Sequence, residues 1–112
     1  MPTDQPHWTH TPPEAQELLA PYRSQIDALD EQIIALLGAR FAVVRQVAAL
    51  KAEHGIHPVL KDRLGEVRDR ARALAVRAGF DPGVAEQIYR TLLEASCRLE
   101  EEFFESGEAR SS

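Results

Sequence analysis

Arg40 and Lys51 stand eleven residues apart in RFAVVRQVAALK, where Val44, Val47 and Ala48 recur at helical spacing. Eleven helical steps turn ~1100°, about 20° from perfect alignment, and rise ~16 Å. Both cations therefore share the apolar face, one toward each end of it. A buried cation with no partner is costly. Either the two long side chains reach water at the edge of a core, or they bracket a small anion lying between them. Ser96 and Glu100, four residues apart in LLEASCRLE, fall on a second apolar face with Ile88, Leu92 and Phe103. A carboxylate facing inward calls for a cation such as Arg40 or Lys51. Arg63 opens a helix after a loop, where anions gather, although Asp62 and Glu66 are also within its reach. Arg23 lies ~25 Å before Arg40 along a helix and is rotated from it by roughly 100°. The two can meet one small ligand only if Arg23 comes from a second chain.

These side chains need helices to place them. Thr11-Pro12-Pro13-Glu14 reads as a helix start, while Pro21 either bends that helix or begins it. From Pro21 to His54 the pattern Ile26, Leu29, Ile33, Leu36, Leu37, Val44, Val47, Ala48 steps by threes and fours, and Gly55 is placed to cap its end. A loop around Pro58 leads to a second helix from near Asp62, with Leu64, Val67, Ala71, Leu74 and Ala78 inward, stopped by Gly79. Asp81-Pro82 starts a third helix that ends near Glu105. The spacing predicts an all-α fold of one long and two shorter helices over residues 13–105, with mobile tails at 1–12 and 106–112. A helix from Pro21 to His54 is about 50 Å long. Two shorter helices folding back on it leave part of its stripe bare, so an intertwined homodimer is expected, with an overhanging monomer as the alternative.

Composition narrows the function classes. The chain has 112 residues and a formal net charge of −5, which does not suit nucleic acid. One cysteine, Cys97, allows no internal disulfide and fits a reducing compartment. The first residues carry no apolar run, and no segment is expected to cross a membrane, so a soluble cytoplasmic protein is expected. His7 with His10, and His54 with His57, are spaced i, i+3, but no Cys or Asp completes a metal set. No metal and no cofactor are expected.

The pattern Arg23-x-x-Ile26-Asp27-x-Leu29-Asp30-x-x-Ile33-x-x-Leu36-Leu37-x-x-Arg40, followed by Lys51, Arg63 and LLEASCRLE, resembles the all-α (AroQ) class of chorismate mutases over roughly residues 19–104. It is also similar to relatives that act on isochorismate, as pyruvate lyases, or on aminodeoxychorismate. The resemblance implies an intertwined dimer of three-helix protomers. It implies that Arg40, and Arg23 of the partner subunit, hold the two carboxylates of the substrate. Lys51 would contact a carboxylate and the ether oxygen of the enolpyruvyl bridge, Arg63 would add positive charge near the ring, and Ser96 would help at a carboxylate. Glu100 falls where many members carry Gln, the second donor to the ether oxygen.

The reaction so implied converts chorismate to prephenate, toward Phe and Tyr synthesis. It is pericyclic: a C–O bond breaks as a C–C bond forms, with no nucleophile and no proton transfer. The protein holds the reactive conformer and stabilises charge growing on the ether oxygen. Two departures qualify the match. An ionised Glu100 accepts hydrogen bonds but cannot donate one, so to serve the ether oxygen it must carry a proton. Leu60 or Lys61, and Leu64, stand where many mutases carry carboxylates near the ring hydroxyl. Isochorismate lyases lack these carboxylates too. A chorismate mutase is the first expectation. An isochorismate lyase or aminodeoxychorismate mutase of the same fold, and a non-enzymatic or regulatory helical dimer, stay open beside it.

Overall fold

The computed structural model describes residues 9–111, with side chains through residue 106. It consists of three helices: α1 (Pro13–Glu53), α2 (Lys61–Ala78) and α3 (Pro82–Ser111). The described residues contain no strand, so the all-α expectation of one long and two shorter helices holds. They divide into two compact units, one running to Leu37 and the other from Gly38 onward.

In the first unit α1 starts at Pro13, directly after Pro12, whose carbonyl accepts from the N–H of Ala15 and of Gln16 at 3.0 and 3.1 Å. Pro21 lies inside the helix and does not begin it. The apolar stripe predicted here is solvent-facing: Ile26, Leu29, Ile33 and Leu36 are all more than half exposed, as are Leu18, Tyr22 and Ile34.

The second unit holds the packed part of the chain. The end of α1 is closed by Gly55 at φ 67, which lets the Ile56 N–H return to the Lys51 carbonyl at 2.8 Å. Gly79, at φ 86, ends α2 in the same way, with the Phe80 N–H bonded to the Ala75 carbonyl at 3.0 Å. In both, the left-handed glycine allows the chain to satisfy carbonyls that the last helical turn leaves open. Asp81 caps α3: its Oδ1 accepts from the Gly83 N–H at 2.8 Å, with Pro82 at the first helical position, where its missing donor costs nothing.

The short turn folds α3 back antiparallel on α2. Ala71, Ala75 and Ala85 are buried at 4%, 1% and 3% exposure; side chains this small let the two backbones approach closely. Arg72 bridges the pair through Glu86 at 2.8 Å. Two expectations are corrected. Helix α3 continues past Glu105 to Ser111, because Glu, Ala and Arg there favour helix and no proline follows. Helix α1 is, by length and composition alone, apolar enough to cross a membrane, although no such segment was expected. Its apolar run from Ile33 to Leu50 carries Arg40 and Arg45, and each arginine costs roughly 3 kcal/mol at a bilayer centre.

Candidate functional site

The end of α1, the connection around Pro58, the start of α2 and the middle of α3 enclose a cavity of about 400 Å³ within the second unit. Arg40, Lys51, Arg63, Ser96 and Glu100 all line it. The sequence pattern places them there because α1 carries Arg40 and Lys51 on one face, while Ser96 and Glu100 lie one turn apart on α3.

Lys51 is the centre of the arrangement. Its Nζ lies 2.9 Å from Glu100 Oε1, with the two side chains only 15% and 10% exposed. It also donates to the Pro58 carbonyl at 3.0 Å. An ammonium has three donors, so one N–H remains for a ligand. Glu100 thus has the cationic partner that its inward position demanded. Ion-paired in this way it is an acceptor, not a donor.

Arg40 is held from two sides. Its Nη1 donates to Ser96 Oγ at 3.1 Å, and its guanidinium sits over the Tyr89 ring, 5.8 Å from the centroid, within cation–π range. Ser96 is buried at 6% exposure, and its own hydroxyl proton goes to the Leu92 carbonyl at 2.9 Å. The serine therefore orients Arg40 by accepting. Among the described residues no carboxylate lies within ion-pairing distance of Arg40, so its charge is uncompensated and directed at the cavity rim.

Arg63 reaches the rim from α2, where it also pairs with Glu66 at 3.3 Å, both side chains about two-thirds exposed. Arg23 lies in the first unit, where its Nη2 donates to Thr11 Oγ1 at 2.9 Å. The remaining walls are apolar: Val43, Val44 and Val47 from α1, and Leu60, Leu64 and Val67 from the loop and α2. Cys97 also lines the cavity. Burial, then Glu100 and Glu101, push its thiol up, with Lys51 opposing. A larger cavity of about 780 Å³ between α2 and α3 is lined by Lys61, Arg68, Arg90 and Arg98 together with Glu86, Glu94 and Glu101. Its cations are largely offset by those carboxylates, and it contains none of Arg40, Lys51, Ser96 and Glu100.

Three contacts escape the sequence reading: the Pro58 carbonyl on Lys51, Tyr89 under Arg40, and Cys97 in the wall. Tyr89 was legible in principle, since it precedes Ser96 by seven residues and so shares its face. The Pro58 contact depends on how the loop folds and has no periodic signal. Of the paired histidines, His7 lies outside the described residues. His57 turns its ring onto its own loop, where Nδ1 accepts from the Val59 N–H at 3.0 Å.

The arrangement is a small cavity with largely apolar walls and cationic donors at its ends, suited to a compact organic dianion. Curated relatives agree with that chemistry. The chain is 28% identical over 98 residues to a 4-amino-4-deoxychorismate mutase of Streptomyces pristinaespiralis, covering 88% of this chain and 76% of that protein. It is 29% identical over 89 residues to a chorismate mutase of Methanocaldococcus jannaschii, covering 80% and 90% respectively. It is 31% identical over 87 residues to the T-protein of Haemophilus influenzae, covering 78% of this chain and 23% of that much longer one. Residues 22–101 match the chorismate mutase type II family, and the chain, with its three helices and cationic cavity, belongs to that family.

Proposed function

We propose that this protein is a chorismate mutase, converting chorismate to prephenate in the cavity between α1, α2 and α3. The observation that carries the reading is the convergence of Arg40, Lys51, Ser96 and Glu100, from distant parts of the chain, on one cavity of about 400 Å³. Arg40 grips one carboxylate of the substrate, oriented by Ser96 and Tyr89. The spare N–H of Lys51 meets the ether oxygen as negative charge grows there. Glu100 fixes Lys51 through the 2.9 Å ion pair. Arg63 adds positive charge at the rim. The rearrangement needs no proton transfer, so holding the reactive conformer and stabilising the oxygen are sufficient, and no cofactor takes part.

The active form we propose is a homodimer in the cytoplasm, serving aromatic amino acid synthesis, with residues 13–105 as its working domain. The first unit leaves seven large apolar side chains along α1 more than half exposed. At ~1.5 kcal/mol or more each, covering them with a second copy offers on the order of 10 kcal/mol before ordering costs. In such a dimer Arg23 of the partner subunit completes the grip on the second carboxylate. A lyase acting on isochorismate reuses the same cations, and the apolar Leu60 and Leu64 are the observation that favours that second reading.

Product identification separates these readings. Purified protein is incubated with chorismate and with isochorismate, and the products are resolved by chromatography. Prephenate from chorismate is expected; salicylate plus pyruvate from isochorismate alone would replace the mutase with the lyase. Arg40→Ala is expected to lower kcat/KM at least 100-fold with helical content unchanged. If Arg40→Ala turns over normally, the cavity is not the site.

A further inference from the structure

We infer that Leu64, Leu93 and Cys97 form a partition one side chain thick between the smaller, cationic cavity and the larger cavity beside it, and that Leu93 through this partition limits the bulk of the dianion the site accepts. This deepens the proposed function and rests on its reading of the smaller cavity. Among the described residues, the cavity of about 400 Å³ and that of about 780 Å³ share these three side chains and no others. Arg40, Lys51 and Arg63 border only the first, whereas Arg68, Arg90 and Arg98 border only the second. The three shared side chains therefore face both spaces.

Toward their connecting turn, α2 and α3 are closed by the buried alanines Ala71, Ala75 and Ala85. Leu64 lies about two turns ahead of Ala71 on the same face of α2, and Leu93 and Cys97 stand one turn apart on α3. Away from the turn, the gap between the helices is thus filled by side chains and not closed by backbone. All three are only half-buried, as side chains with open space on two sides must be. The Cys97 thiol registers both sides: burial pushes it up, and then so do Glu100 of the smaller cavity and Glu101 of the larger one, with Lys51 opposing. A core side chain that is cut back usually has packed neighbours that partly relax into the void. Leu93 has a second cavity behind it, so shortening it joins the two spaces and leaves room for a bulkier ligand. Val67 lines the smaller cavity alone, and shortening it opens no such space.

The test measures binding of two rigid diacids, adamantane-1,3-dicarboxylate and its 5,7-dimethyl derivative, by titration calorimetry at neutral pH. They hold their carboxylates alike and differ only in bulk. Relative to wild type, Leu93→Ala is expected to shift the affinity ratio toward the dimethyl compound by about tenfold or more, the scale on which an apolar pocket discriminates methyl-sized groups. Val67→Ala is expected to shift it by less than about threefold. A shift below tenfold in folded Leu93→Ala overturns the inference. So does an equal shift in Val67→Ala, because any loss of wall would then suffice. Should Leu93→Ala not fold by circular dichroism, Cys97→Ala opens the same partition; a shift of about threefold or more there supports the inference, and a smaller one overturns it. Initial rates of wild type on chorismate separate this inference from the reading beneath it. A wild type that turns over chorismate but shows an unmoved ratio in the variants, or binds neither diacid, loses only the partition. One that neither binds a diacid nor turns over chorismate loses the proposed function as well.

Discussion

Removing Lys51 should cost stability as well as activity, and the structure sets the size of the loss. In Lys51→Met the carboxylate of Glu100, at 8% residue exposure, loses the one ion-pair partner it has among the described residues, and the Pro58 carbonyl loses its donor. Stranding one member of a buried pair costs about 3–5 kcal/mol. Here the adjoining cavity admits some water to Glu100, so about 2–3 kcal/mol is expected, a fall in Tm of roughly 10–20 °C for a domain near this size. The double variant Lys51→Met, Glu100→Leu removes the stranded charge. It should recover to within about 1 kcal/mol of wild type, the remainder being the lost hydrogen bond to Pro58. Both variants should lack turnover. The assay is urea unfolding followed by circular dichroism, at one fixed protein concentration because a dimer's stability depends on it, with initial rates on chorismate measured in parallel. A Lys51→Met protein within ~0.5 kcal/mol of wild type would refute the reasoning, since that is how an exposed surface pair behaves. Failure of the double variant to recover would place the cost in packing, not in the stranded charge.

Three other outcomes are expected. Glu100→Gln keeps an acceptor for Lys51 and adds a permanent donor, so its initial rate on chorismate should exceed wild type. A rate equal to or below wild type would show that a donor at this position does not serve the reaction. Ser96→Ala should lower kcat/KM about tenfold, the worth of ~1.4 kcal/mol, with little change in Tm. The loss is smaller than for Arg40→Ala because Tyr89 still supports the guanidinium. Cys97 should alkylate more slowly than a free thiol near pH 8, because burial, Glu100 and Glu101 all disfavour its thiolate; urea should abolish that protection, and rapid alkylation of the folded protein would contradict the placement.

Much of this architecture was legible because its determinants are local. Gly55, Gly79 and Asp81-Pro82 mark their helix ends through backbone conformations that few other residues supply. The shared face of Arg40 and Lys51 follows from helical rotation alone, and so does that of Ser96 and Glu100. What periodicity does not carry is pairing between elements. Glu100 called for a cation, but the choice of Lys51 over Arg40 depends on how far along α1 the third helix sits. The assignment of Ser96 to orienting Arg40 depends on where its hydroxyl proton goes, and the Leu92 carbonyl one turn earlier takes it. Pro21 was ambiguous because a proline inside a helix and a proline at its start differ only in what precedes them. Residues Pro13–Ala20 hold helical geometry here despite it.

That proline has a consequence in the language of amide exchange. Lacking an N–H, it leaves the Glu17 carbonyl without its usual partner and divides α1 into turns before it and turns after it. The two leading turns can open to solvent by themselves, at a small fraction of the global free energy. Thr11, which takes the hydrogen bond of Arg23 at 2.9 Å, is anchored to those leading turns through Gln16 Nε2 on its carbonyl. Arg23, which we propose to serve a neighbouring subunit, is therefore leashed to the turns ahead of Pro21, and opening those turns alone is enough to release it.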